Sequence, residues 1–490
     1  MISGKQAMSH GSLLAVIFLA CCALFYGTFL VTGYFVVEHG MGWDGRTYMW
    51  AIEAASQGMG YAASPYHTIR MGAFLPVIAL KAAFGLSEPQ MVHAQTGVNA
   101  LLLAASATVF FDFLTRMGVR RCAALLSLGT LVFSWPFLVM PMYYPVLSDP
   151  MALAVACFAC WLWERGRPGW LVALTAYSPF VVAGLFVVPL VLAAMPRGRS
   201  GGGYAGKDAT VLRYLGLIAG AAVSIWLFRQ LMHVPDTRIL APGGGVQPGV
   251  AAWHGLSAAI GGALVLFCVY LAAGIGIKAY GSRSVSWMGL VAAVLAAGLS
   301  TGAILRYLLG NPGFRGPPLL DNIFLQTVVL PFAPTVSHFL YFGGPFLLAC
   351  AALWRYARNT RTDALPFFVL AAIFLPILAL GSESRQWLEV FPILVACVAL
   401  TPMSNALRGL AVVVALLLCV PAFFLAGAIT DPAPALADFS TDAWQLYFGR
   451  QGPWMTFATY RIGACLALGF VVLGAVVCFA VRRRRPLVVS

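Results

Sequence analysis

The sequence predicts an all-α polytopic membrane protein with about thirteen or fourteen transmembrane helices. Three observations carry that class. Of 490 residues, 61% are apolar and only 9% are charged, against roughly a quarter charged in a soluble globular chain. Apolar runs of about 20 residues, the length that crosses a hydrocarbon core, recur from end to end. Short polar, turn-rich breaks separate them. A soluble enzyme, a disordered chain and a collagen-like fibre are excluded together. An outer-membrane barrel is excluded too, because its short strands would alternate polar and apolar residues. Helices remain, since they satisfy their own backbone inside lipid. No loop is long enough for a separate soluble domain. The chain therefore divides into a membrane module over 1–200 and a second set of helices over 201–490, with outer loops 234–254, 309–337 and 429–461.

In order, the apolar runs place helices near 12–36, 91–111, 122–141, 148–163, 170–195, 211–233, 255–276, 286–308, 338–354, 365–381, 386–402, 407–428 and 462–481. The first run is too long for the apolar core of a signal peptide, which spans roughly 7–15 residues, and reads as an uncleaved helix. Segment 170–195 carries Ser178-Pro179 at its centre and basic loops on both sides (Arg165 and Arg167, then Arg197, Arg199 and Lys207). Both loops should face the cytoplasm, so the segment must enter and return as two short helices. The stretch 69–85 is apolar but flanked by Arg70 and interrupted by Lys81. It reads as an interfacial helix of the first outer loop, 37–90, with both cations at lipid headgroups.

The formal net charge is +14. Nucleic acid is not the expected partner, because positive loops on the cytoplasmic side explain the balance. With both termini cytoplasmic, 20 of the 30 Lys and Arg fall inside, while 12 of the 16 acids and six of the seven histidines fall outside. The multi-pass chain is thus expected in a bacterial inner (cytoplasmic) membrane, part of the cell envelope, with its chemistry facing the periplasm or exterior. The eleven cysteines sit in or beside apolar helices and read as small buried hydrophobes, with no disulfide or zinc framework.

Three outer constellations hold candidate chemistry. The first, Glu38 to Tyr48, places Asp44 and Tyr48 four residues apart, on one face of any helix that starts there. A carboxylate at this depth suits a general base toward a hydroxyl. The alternative is an ordinary helix N-cap. In the second, Asp149 follows Ser148 and precedes Pro150, which is either a functional acid at the membrane edge or a capped helix start with proline in its first turn. In the third, Glu383, Arg385 and Glu389 join two apolar runs. An arginine there presents a fork of donors to a phosphate, or it closes on Glu389 four residues on. Arg46, His67, Arg70, Arg306 and Arg315 are further binding candidates, the last three equally serviceable as headgroup anchors. No cofactor is certain. His39, His67, His93, His254 and His338 with Glu38 and Asp44 leave a divalent cation open, though no pair has metal-ligand spacing. Phosphate-loop, dinucleotide and serine-hydrolase motifs are absent.

The order of these features resembles the GT-C superfamily of integral membrane glycosyltransferases, among them aminoarabinose transferases and protein O-mannosyltransferases. The resembling parts are Trp43-Asp44-Gly45-Arg46-Thr47-Tyr48 after the first helix, and the stretch Arg70 to Gly85 closing in Phe84-Gly85-Leu86-Ser87. The Arg116 to Arg121 turn, Ser148-Asp149 and the broken pair 170–195 complete them. They cover about the first 200 residues; beyond these only the general layout and Arg385 correspond. The resemblance implies transfer of a sugar from a polyprenyl-phosphate carrier to a lipid or glycan acceptor, with inversion. It also implies that Asp44 is the base and that Asp149 shapes the acceptor or metal site. Two departures stand out. Ser178-Pro179 replaces the lysine or acid common after the turn of the broken pair, and no soluble domain follows the helices. The competing class is a transporter or flippase. It would place ionisable groups at mid-membrane depth and mirror its broken helices in two halves, whereas here the acids gather at the outer edge.

Overall fold

The computed structural model describes residues 9–61, 64–197, 253–281, 285–310, 326–358, 364–381, 383–425 and 455–483, with a few helical positions between 218 and 226. Among these residues every regular element is helical and there is no strand. The protein is a multi-pass helical membrane protein. The expected helix at 211–233 falls almost wholly outside the described residues, as do the loops 234–254 and 429–461 for most of their length and residues 311–325 of the loop 309–337.

Helix α1 (His10–Thr32) is capped by the Ser9 hydroxyl, which accepts from the Ser12 N–H at 3.1 Å. The first loop then folds into α2 (Gly42–Ser56), a turn of helix over Pro65–Thr68, and α3 (Leu75–Phe84). Helix α4 (Glu88–Arg116) starts at a capping box in which Ser87 N–H donates to Gln90 Oε1 at 2.8 Å. Its 29 residues reach about 43 Å at 1.5 Å each, enough to span a bilayer with tilt. Against it pack α1 and α6 (Asp149–Glu164), the latter reached through α5 (Arg121–Val132). The run at 122–141 is not one helix: after α5 the chain turns by 70° at Ser134 into a π-type turn, Trp135–Val139. Pro136 in that turn cannot donate the hydrogen bond that would carry α5 onward.

The break expected at Ser178-Pro179 is present. Helix α7 (Pro168–Tyr177) ends in a 3₁₀ turn, Ser178–Phe180, and the chain returns as α8 (Val187–Ala194). Then come α9 (His254–Gly281) and α10 (Trp287–Leu309), then α11 (Ala333–Phe342) and α12 (Gly344–Arg358). The single helix expected at 338–354 is instead this pair, bent by 113° at Gly343, whose φ of +75° suits only glycine. Just before it, the described part of the loop 309–337 carries one turn of helix over Gln326–Val329. The chain ends in α13 (Leu365–Leu380), α14 (Val390–Leu400), α15 (Asn405–Leu425) and α16 (Phe457–Arg483).

Among the described residues six helices are long and apolar enough to cross a membrane, or eight if each bent pair counts once. Two further apolar helices, Leu365–Leu380 and Val390–Leu400, are shorter, and the expected crossing at 211–233 lies outside the described residues. Helix α14 shows why short ones suffice: Val390 through Ala399 are all buried. Apolar on every side, it forms the centre of the bundle, where α5, α6, α12 and α13 pack on it. Protein, not lipid, surrounds it. A satellite core (Tyr48, Ile52, Phe74, Val77, Met91, Val146, Val155, Val181 and Leu185) fastens the first loop onto α4, α6 and the turn after α7.

Candidate active site

Helix α2 brings Asp44 into place. Glu38 and His39 take left-handed φ values of 50° and 51°, and Gly42 one of 56°. A Cβ on Gly42 would lie 2.5 Å from Cζ of Tyr144, so glycine is required twice over. That close approach lets the Tyr144 hydroxyl accept from the backbone N–H of Asp44 at 3.1 Å and of Gly45 at 3.4 Å. Two donors at the start of α2, which have no partner inside the helix, are thereby satisfied from another element. Asp44 is not the N-cap. It sits in the first turn, and its carboxylate is left for the site.

Asp149 behaves alike. It is the first residue of α6, Pro150 follows it, and no side chain caps the helix. Its carboxylate, 6% exposed, accepts from Nε of Arg385 at 2.9 Å. Nη1 of the same guanidinium donates to Asp44 Oδ2 at 2.8 Å. One arginine therefore ties two acids from elements more than 100 residues apart in the chain, which short helices alone could not position. Arg385 stands on a 3₁₀ turn, Ser384–Trp387. The Ser384 hydroxyl lies 2.8 Å from His338 Nδ1, and His338 Nε2 lies 3.0 Å from the Leu378 carbonyl. The alternative pair of Arg385 with Glu389 does not form.

The cluster continues into the first loop. His67 Nε2 lies 3.8 Å from Asp44 Oδ1, while its Nδ1 is 2.5 Å from Ser64 Oγ. Tyr48 is fully buried, edge-on to His67 with ring centroids 4.7 Å apart. Burial lifts the Tyr48 phenol to about 12. Arg70 is not a headgroup anchor: it is only 8% exposed and lies 4.1 Å over the Tyr66 ring. It pairs with no carboxylate among the described residues. Lys81, its expected companion at the headgroups, pairs instead with Glu53 at 2.9 Å. Arg70, Ser148, Asp149, Val182, Arg385 and Gln386 line one small cavity. Glu383 accepts from Gln386 Nε2 at 3.2 Å, and its carboxyl is raised, by burial first, against the pull of Arg385. For Asp44 the balance runs the other way. Burial would raise its carboxyl, but Arg385 and His67 together hold it well below the usual range.

Other candidates lie apart. Arg46 donates to Glu88 Oε1 at 2.7 Å and approaches Glu38 at 3.6 Å. Arg306 is exposed on α10, beside Tyr307 and Gly310, and Arg315 lies outside the described residues. The histidines do not converge: His93 Nδ1 bonds the Pro89 carbonyl at 2.8 Å, and His338 is buried behind Ser384. Among the described residues no three His, Cys, Asp or Glu side chains gather closely enough to hold a metal ion.

At the far end of α4 and α6 a second ion network forms. Asp112 accepts from Arg116 Nε at 2.9 Å, Arg165 Nη2 at 2.8 Å and Trp161 Nε1 at 2.9 Å, with His10 Nε2 at 2.8 Å. Arg197 pairs with Glu164 beside it.

The sequence did not single out the bracing of Asp44 by Tyr144, the support of Arg385 by His338 through Ser384, or the burial of Glu389. Tyr143-Tyr144 next to the Ser148-Asp149 start was the one visible hint of the first. Comparison with protein-family models finds no match, and comparison with characterised proteins finds none by sequence.

Proposed function

We propose that this protein is a membrane glycosyltransferase that moves a sugar from a polyprenyl-phosphate carrier to an acceptor hydroxyl on the outer (periplasmic) face. The observation that carries the reading is the Asp44–Arg385–Asp149 bridge, with a second buried guanidinium, Arg70, lining the same cavity and without an acidic partner among the described residues. Two arginines converging beside one partly exposed acid supply an anion site and a base in a single place. Asp44 is the member with access, its side chain 41% exposed against 12% for Arg385.

The reaction is a direct displacement. The acceptor oxygen attacks the anomeric carbon, Asp44 takes the hydroxyl proton, and the bond from that carbon to the phosphate oxygen breaks with its electrons. Polyprenyl phosphate departs, its charge held by Arg385 and Arg70. With no substrate bound, Arg385 keeps Asp44 ionised and makes it a weak base. A donor phosphate competes with Asp44 for that guanidinium and so restores basicity to Asp44 as the donor arrives. Proton removal is thereby tied to donor occupancy.

The test is release of polyprenyl phosphate by the full chain in lipid nanodiscs, across a panel of polyprenyl-phosphate sugars, with cell-envelope glycans as acceptors. The native chain should turn over at least one donor, and Asp44→Asn should lose that turnover while it still folds. Turnover that survives in Asp44→Asn would remove Asp44 as the base. Transport of a donor across the membrane without release of polyprenyl phosphate would replace the reading with a flippase.

A further inference from the structure

Glu389, the residue just before α14, is fully buried, and neither of its carboxylate oxygens has a hydrogen-bond partner among the described residues. Oε1 faces Gly184, where an added Cβ would stand 3.5 Å away. Gly184 belongs to the turn between α7 and α8, two residues from Val182, which lines the cavity shared by Arg70, Asp149 and Arg385; Leu388, the neighbour of Glu389, lines it too. A buried acid left unpaired costs more than an apolar side chain of the same shape. Packing alone therefore gives no reason for glutamate at the head of an otherwise apolar helix. Its oxygens call for a donor. The phosphodiester of a sugar-loaded carrier is an anion that offers none and would be repelled, whereas the sugar beyond it carries hydroxyls or an ammonium.

We propose that Glu389 is a substrate-binding residue that accepts hydrogen bonds from the hydroxyl or ammonium groups of the transferred sugar, next to a phosphate held by Arg70 and Arg385. This rests on the glycosyltransferase reading and deepens it. Glu389 reads the sugar while the arginines read the carrier, so its loss costs the preference for sugar-loaded over bare carrier and spares carrier binding itself.

The experiment measures binding by the full chain in nanodiscs of three short-chain probes: bare polyprenyl phosphate, the same carrier with a neutral hexose, and the same carrier with an aminosugar. Thermal unfolding is followed in parallel. The native chain should bind one sugar-loaded probe more tightly than the bare carrier, and which one tells hydroxyl from ammonium recognition. Glu389→Leu should erase about tenfold of that preference, the scale of one hydrogen bond to a charged group. It should bind bare carrier unchanged and unfold at the native temperature or above it. If Glu389→Leu does not fold, Glu389→Gln carries the comparison, with at least a threefold loss of preference expected. A preference kept by the variant, or a lowered unfolding temperature with the preference intact, overturns the proposal and makes Glu389 structural. Equal native affinity for all three probes overturns it as well, while carrier binding still stands for the functional reading. Native failure to bind even the bare carrier removes that reading, and this proposal with it.

Discussion

At the scale of single residues, Arg385 carries more than any other side chain of the site, because its two acids come from separate elements. Removing it leaves Asp149, which is 5% exposed, as a buried carboxylate with no partner, at a cost of about 3 kcal/mol. Arg385→Ala should lower the unfolding temperature and abolish polyprenyl-phosphate release. Arg385→Lys should restore little of either, because an ammonium cannot present the planar fork that reaches both acids; calorimetry and the release assay check both variants. Asp44 is the milder loss for stability, being partly exposed, and the sharper one for turnover. Its depressed carboxyl also fixes a pH window. The stabilisation from the Asp44–Arg385 pair is fully present above the ordinary carboxylate value of 3.8 and drains only as pH falls below it. A native-minus-Asp44→Asn difference in stability should therefore be flat from neutral pH down to about 4 and shrink below that, as acid titration of unfolding would reveal.

At the scale of elements, the site depends on how α2 enters. The start of a helix normally draws on its own preceding side chain for a cap, but here Tyr144 supplies the acceptor from elsewhere. Tyr144→Phe should cost about 1 kcal/mol through the lost hydrogen bonds and should reduce turnover more than donor affinity, since it loosens Asp44 and leaves the arginines in place. Gly42→Ala should be worse, because the added carbon meets the Tyr144 ring at a backbone angle unsuited to alanine. Comparing kcat with KM for the pair separates the two effects. Of these elements the sequence disclosed a great deal. Apolar run length located α1, α4, α9, α10, α15 and α16, and basic flanks with Ser178-Pro179 disclosed the broken pair. It did not disclose the bends at Ser134 and Gly343. Both runs stay apolar through the break, so run length passes over Pro136 and Gly343, at which the chain turns.

At the scale of the whole molecule, α4 and α6 hold an ion network near each end. Asp149 opens α6 and Glu164 closes it, fifteen residues later, or about 22 Å along the axis. The network around Asp112 and Glu164 involves no residue of the Asp44 site, so it should contribute to assembly and not to turnover. Asp112→Asn should destabilise the protein by about 2 kcal/mol through weakened charged hydrogen bonds, and leave the KM for donor unchanged. A KM that moved with it would mean that the two ends of the bundle are coupled through these helices.

The sequence by itself determined the all-helical class of the protein and its membrane setting and named candidate residues for chemistry, because run length, charge position and residue type are local properties of a chain. Asp44, Asp149, Arg385 and Arg70 were all visible as candidates on those grounds, and so were the rival readings of each as cap, pair or anchor. Only the tertiary structure decided between them. It joined Asp44 to Asp149 through Arg385, turned Arg70 inward, set Arg46 on Glu88, and left Glu389 buried without a partner among the described residues. The physical reason is that pairing among charges depends on distance through space. The elements that carry these charges are brought together by packing around α14 and the first-loop core, which no spacing along the chain records.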